Sequence, residues 1–177
     1  TYILFPASIL CLVCFLSGIT YAENEGLEDL DQATELKLKS TGLGDLTKVI
    51  QLIDSAFEKG LDKDNSELAE LLLVPTLLER ASIISAQVLD RSPPHPQWPK
   101  LRVAALSDLK RILDIDDNQI QAHLLVGRLL TLPQGDREEA RASFTKVIDN
   151  DATDVKTKAQ AYVYRGNVQT DDTEGLA

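Results

Sequence analysis

The chain has 177 residues, a net charge of −10, a pI near 4.6 and only 5% aromatic residues. An acidic balance of that size disfavours nucleic acid or an anionic membrane surface as partner, because both need a cationic face to offset phosphate charge. Leu, Ala and charged residues are plentiful while strand formers are scattered without alternation, so the composition points to helices, and to an array of short units rather than one ordinary domain.

In chain order, Tyr2 to Ile19 carries no charge and is rich in Ile, Leu, Val, Phe and Cys, with Thr20-Tyr21-Ala22 preceding the first acid, Glu23. This reads as a signal peptide, residues 1–22, cleaved near Ala22, which implies an exported (periplasmic, cell-envelope or secreted) protein. The alternative is an uncleaved N-terminal helix that anchors the protein, since the stretch is just long enough to span a membrane. Cys11 and Cys14 fall inside it, so the C-L-V-C motif is not expected to be redox active and the mature chain is expected to lack cysteine. Met is absent even at position 1, and Ala177 follows what reads as the start of another helix, so a fragment of a longer polypeptide is expected.

Residues 23–42 read as a linker or a frayed first helix. Leu46, Val49, Ile50, Ile53 and Phe57 then share one face of a helix over about 45–59, which Gly60 ends. Asp64 and Glu67 form a capping-box-like start for a helix running to about Asp90, which Pro75 should kink or split. Ser92 to Pro99 holds four prolines and predicts a rigid extended connector, with Pro99 opening the next helix. Its Trp98 could be displayed for docking; folding back onto the helices is the commoner fate of a lone indole. Helices are expected over about 100–114, 119–131 and 154–168, with another opened by Asp136 and Glu139.

Two of these helices carry the same sentence. A-L-S-D-L-K-R-I-L-D from Ala105 and A-R-A-S-F-T-K-V-I-D from Ala140 are offset by 35 residues, so that Ala105, Leu109, Ile112 and Leu113 match Ala140, Phe144, Val147 and Ile148. A period of that length is the mark of a helical array, whose units bury their apolar faces only by stacking.

H-L-L-V-G-R-L-L from His123, A-R-A-S-F from Ala140 and A-Y-V-Y-R-G-N from Ala161 resemble the tetratricopeptide repeat. The resemblance is closest from about Lys100 to Ala177 and looser over Leu43 to Asp90, and the whole chain is similar to exported planctomycete-type proteins with long arrays of such repeats. It implies an all-α fold, a right-handed superhelical array of antiparallel helix pairs with an irregular N-terminal part. Residues 43–98 would form a degenerate helical repeat with a proline-rich loop, and 99–177 regular repeats with the last one truncated. In such a repeat Gly127 and Gly166 permit close helix approach. Asp117 and Ala152 stand where the turn Pro is usual, His123 where Trp is usual, and the glycines are 39 residues apart against 35 for the alanines.

The resemblance also implies a concave face lined by the first helix of each pair, which binds a protein or peptide. Its side chains would be Gln121, Leu124, Arg128 and Thr131 in one repeat and Gln160, Val163, Asn167 and Thr170 in the next. Repeats that clamp a C-terminal carboxylate place a Lys one turn before an Asn. Asn167 fits that pattern, but Val163 occupies the Lys position.

No catalytic, cofactor-binding or metal-binding residue is expected. His95 sits in the proline loop and His123 at a packing position, the histidines form no i, i+3 or i+4 pair, and no phosphate-loop, nucleophile-elbow or zinc-protease motif occurs. Asp149 to Asp154 begins like a calcium loop but lacks its turn Gly and closing Glu, so caps and solvated turns explain it better. The sequence therefore predicts a non-enzymatic exported scaffold with a protein or peptide partner, no nucleic acid and no small-molecule substrate, touching a membrane only if the N-terminal segment stays uncleaved. The alternative is a regulatory or substrate-presenting arm of a longer exported enzyme whose catalytic domain lies beyond Ala177.

Overall fold

The computed structural model describes residues 24–92 and 95–174, with side chains described up to Val168. The expected signal peptide with its cleavage site, Pro93 and Pro94, and the side chain of Thr170 lie outside the described residues. Among those described, the chain is all-α: α1 (Leu27–Lys39), α2 (Leu43–Lys59), α3 (Lys63–Leu89), α4 (Trp98–Ile115), α5 (Ile120–Leu130), α6 (Arg137–Asp149) and α7 (Val155–Glu174).

Each helix packs on the next, and α1, α3, α5 and α7 also pack in succession on one another. The backbones of α2, α4 and α6 make no comparable approach; long side chains reach between α4 and α2, among them Arg111, which pairs with Asp54. One continuous apolar core threads all seven helices, from Leu30 on α1 to Val168 on α7.

The duplicated stretch is duplicated in packing as well. Ala105, Leu109 and Ile112 on α4 and Ala140, Phe144 and Val147 on α6 are all fully buried. Burying a side chain the size of Phe144 stabilises by roughly 1.5–3 kcal/mol, which is how a sequence period becomes a structural one. Gly127 on α5 faces that ring: a Cβ there would lie 2.5 Å from Phe144 Cε1, so only glycine permits the observed approach of α5 to α6. The same role does not extend to Gly166, where a Cβ would meet nothing within 4 Å among the described residues, because no helix packs against that side of α7.

Of residues 23–42, expected as a linker or a frayed first helix, the described part begins at Asn24 and is largely helical. Most of them form α1, a packed helix rather than a frayed one: Leu30 and Ala33 are buried, Asp29 accepts a 2.6 Å hydrogen bond from Ser55 and pairs with Lys59 at 2.7 Å, and Gly26 N–H donates to Gly60 O. The start of α3 also differs from expectation. Its cap is Asp62, not Asp64, and Asp62 accepts from Asn65 N–H at 2.8 Å and from the Asn24 amide at 2.8 Å. Pro75 does not split α3, which runs unbroken for 27 residues. Pro75 and Leu71 lie on its exposed side, where water can serve the carbonyl that Pro75 leaves unbonded, while packing against α2 and α4 holds the rest. Trp98 opens α4 and is half-buried against the core with the Arg102 guanidinium 5.3 Å from its ring centroid, so it folds back as expected. The acidic turns are used by the backbone: Asp116 accepts from Asn118 N–H, Asp136 caps α6 through Glu139 N–H, and Asp154 accepts from Lys156 N–H and Thr157 N–H. At α5 the cap position is Gln119, whose side chain makes no capping bond, so the turn at Asp116–Asn118 supplies no cap to that helix.

Four of the carboxyls sit below the ordinary value of 3.8: Asp29 through Lys59 and Ser55, Asp62 through Asn65 N–H and Asn24, Asp117 through Lys146, and Asp154 through Thr157. A folded-state pKa below the unfolded one gives stability that is complete above the unfolded value and lost as pH falls through the folded value. Thermal midpoints should therefore decline as pH drops below about 4, and the Asp29→Asn/Asp62→Asn variant should decline less steeply than the parent over that range. Lys59, raised above 10.5 by Asp29, works at the other end: its contribution holds below that value and disappears as pH rises through the folded pKa. Equal acid slopes in parent and variant would show that these carboxyls are not what acid titrates.

Candidate interaction face on alpha5 and alpha7

The eight residues expected to line a binding face come from α5, its C-cap and α7, and the structure treats them unequally. Gln121, Thr131, Gln160, Val163 and Asn167 are exposed, while Leu124 is half-buried against the core. Val163 is 61% exposed and its neighbour Tyr162 54%, which makes this part of α7 apolar and open. The Thr131 hydroxyl donates to Arg128 O at 2.7 Å, which ties it to the last turn of α5.

Arg128 is the residue whose role changes most. Its Nη2 donates to Asp90 Oδ1 at 3.2 Å, at the end of α3, and its guanidinium lies 5.5 Å from the Tyr164 ring centroid on α7. One side chain thus ties three successive odd-numbered helices together and is not simply projected toward a ligand. A cation over an aromatic face is worth about 0.5–1 kcal/mol when partly exposed, so the stitch is modest in energy and specific in geometry.

Thr131 and Asn167 do come together. With Arg137, Tyr164 and Val168 they line a cavity of about 90 Å³ where the end of α5 and the start of α6 meet α7. Sequence reasoning missed Arg137 and Tyr164. Tyr164 carried a signal, since it lies within the A-Y-V-Y stretch, and its ring stacks on Phe144 with centroids 5.7 Å apart. Arg137 follows the cap residue Asp136, and nothing local distinguishes it.

A wider groove of about 790 Å³ lies across the turns, lined in part by Asp117, His123, Lys146, Asp149 and Asp151. Lys146 pairs with Asp117 at 2.5 Å, and its hydrogen bond is the main reason the Asp117 carboxyl is held low, with His123 adding to it. His123 is buried, with Nε2 2.8 Å from Asp117 O, and its Nδ1 is buried without a partner. The packing position expected for His123 is thus a buried one, with a hydrogen-bond partner at one ring nitrogen. Among the described residues no group of three or more His, Cys, Asp or Glu side chains is placed to hold a metal ion.

Compared with known proteins, the chain matches no family model, no curated protein and no solved structure.

Proposed function

We propose that the protein is an exported scaffold of tetratricopeptide-like helix pairs that binds a protein or peptide on the face formed by its first helices. In this reading α1, α3, α5 and α7 are the first helices and α2, α4 and α6 the second, stacked as antiparallel pairs. Elements that approach one another on only one side of a stack form its inner, concave side. The observation that carries the reading is that asymmetry: the odd-numbered helices pack in succession and the even-numbered ones do not. The coincident burial of Ala105, Leu109 and Ile112 with Ala140, Phe144 and Val147 supports it independently. No residue in this scheme carries out a reaction, and specificity comes from the exposed polar and apolar side chains at the face, Gln121, Gln160, Val163 and Asn167 foremost.

A random peptide library selected on the immobilised protein tests this. Selected peptides should converge on a shared pattern, and Gln121→Ala/Val163→Glu should weaken them about tenfold, the effect of losing roughly 1.4 kcal/mol. Arg128 is unsuited as the probe because its removal also unties α3, α5 and α7. Peptides that bind the double variant as tightly as the parent would remove this face from consideration.

A further inference from the structure

A second apolar patch lies apart from that face, on the first half of α3. The helix as a whole is apolar, with an 18-residue window of mean hydropathy 1.4 that is 39% buried, and its first half adds exposed leucines outside the packed side. The cause is a length mismatch. Asp108, which holds Arg80, lies seven residues before the end of α4, so an antiparallel α4 reaches back along α3 only to roughly Leu73. Among the described residues α3 also packs on α1 and α2, and its preceding part leaves Leu68 and Leu71 open. There Leu68 is 52% and Leu71 74% exposed, and Pro75 follows one turn on, so the three fall on one face. Half-buried Leu72 and Leu78 broaden the patch.

Its rim is acidic. Asp64, Glu67 and Glu70 are all exposed around the two leucines, and Lys63, 87% exposed and 3.7 Å from Glu67, offsets one of these charges, so this stretch keeps a net negative charge. A second copy of the chain meeting this patch through a twofold axis would set the same acids against each other, which is costly. An anionic lipid surface meets the same objection. A partner that covers the leucines must bring cations to the rim.

We propose that the first half of α3 docks an amphipathic helix of a partner protein, with Leu-type side chains along one face and Lys or Arg on its flanks. From Leu68 to Leu78 the patch is about 15 Å long, which matches two to three helical turns of the partner. This surface is separate from the α5–α7 face and does not depend on it.

The probe is a fluorescently labelled 18-residue peptide with Leu at i, i+3, i+4 and i+7 spacing and Lys on both flanks, titrated by anisotropy into the purified protein. Two control peptides replace Leu by Ser, keeping the charge, or Lys by Glu, keeping the apolar face. The parent protein should bind the probe at least tenfold more tightly than either control. Leu68→Ser/Leu71→Ser should lose at least tenfold, whereas Val103→Ser/Val155→Ser, at exposed positions of α4 and α7 outside both faces, should stay within twofold of the parent. Both leucines are exposed, so circular dichroism and the thermal midpoint of the first variant should match the parent. The proposal is overturned if the Ser-substituted peptide binds equally, which would leave charge attraction alone, or if Leu68→Ser/Leu71→Ser binds the probe unchanged. It is also overturned if sedimentation shows a parent dimer that this variant converts to monomer. Parent binding to phosphatidylcholine vesicles that the variant loses would overturn it as well, by assigning the patch to lipid.

Discussion

Gly127→Val should destabilise the protein by about 3 kcal/mol, near the upper end of what overpacking a well-filled core costs. The clash is specific. A Cβ at this position already lies 2.5 Å from Cε1 and 2.7 Å from Cζ of Phe144, and two further methyls press on the same ring. The ring cannot swing aside cheaply, because it is fully buried and stacked on Tyr164. At roughly 2–4 °C per kcal/mol for a chain of this size, the thermal midpoint should fall by about 6–12 °C. Phe144→Leu in the same background should recover part of the loss, and the double-mutant cycle should show coupling of at least about 0.5 kcal/mol. Gly166→Ala is the control: with open space around it, the added methyl should gain a few tenths to about 1 kcal/mol from helix propensity alone. If Gly127→Ala is tolerated as well as Gly166→Ala, glycine at 127 is not there for the approach of α5 to α6.

Asp108→Ala should cost about 3 kcal/mol, the low end for breaking a buried pair, since it leaves the partly buried Arg80 guanidinium without its carboxylate. Asp108 is 3% exposed and receives two hydrogen bonds from Arg80, Nε to Oδ2 at 2.8 Å and Nη2 to Oδ1 at 2.6 Å. Arg80 also donates to Thr47 on α2, so the pair fastens three helices. Breaking one side leaves the other with its desolvation uncompensated, whereas removing both does not. Arg80→Met/Asp108→Leu should therefore unfold at higher denaturant than Asp108→Ala and close to the parent. A double variant no better than the single one would show that the pair does more than neutralise itself. In the duplicated pattern Asp108 stands where α6 has Ser143, also buried. The buried face of one copy has thus been adapted to a charged neighbour that the other copy does not meet.

The helices from α2 to α6 were legible in the sequence, and so were the buried positions of the duplicated stretch, while α7 runs on to Glu174 through the residues where another helix was expected to start. Amphipathic spacing is local information: a 3.6-residue rhythm states which side of a helix is apolar whatever it packs on. The candidate face was legible only in outline. Gln121, Gln160 and Val163 are exposed as expected, but Arg128 is engaged with Asp90, 38 residues away, and with Tyr164. A rule that places side chains by repeat position cannot see such a partner. Nor could it see that α1 packs, because α1 has only a thin apolar stripe and is fixed by Gly26 against Ala56, Asp29 against Lys59, and Asn24 against Asp62.

By itself the sequence determined the helical class, the 35-residue period and the residues that fill the core of each unit, because these follow from hydrophobic periodicity within one helix. Tertiary structure alone decided which polar side chains are spent holding the array together and which surface stays open. Arg80 with Asp108, Arg111 with Asp54 and Arg128 with Asp90 join residues 28, 57 and 38 apart, and such pairs depend on how helices are stacked. The exposed leucines of α3 have the same origin. Leu68 and Leu71 carry a core-like pattern, and they remain uncovered because the helix beside them ends too soon.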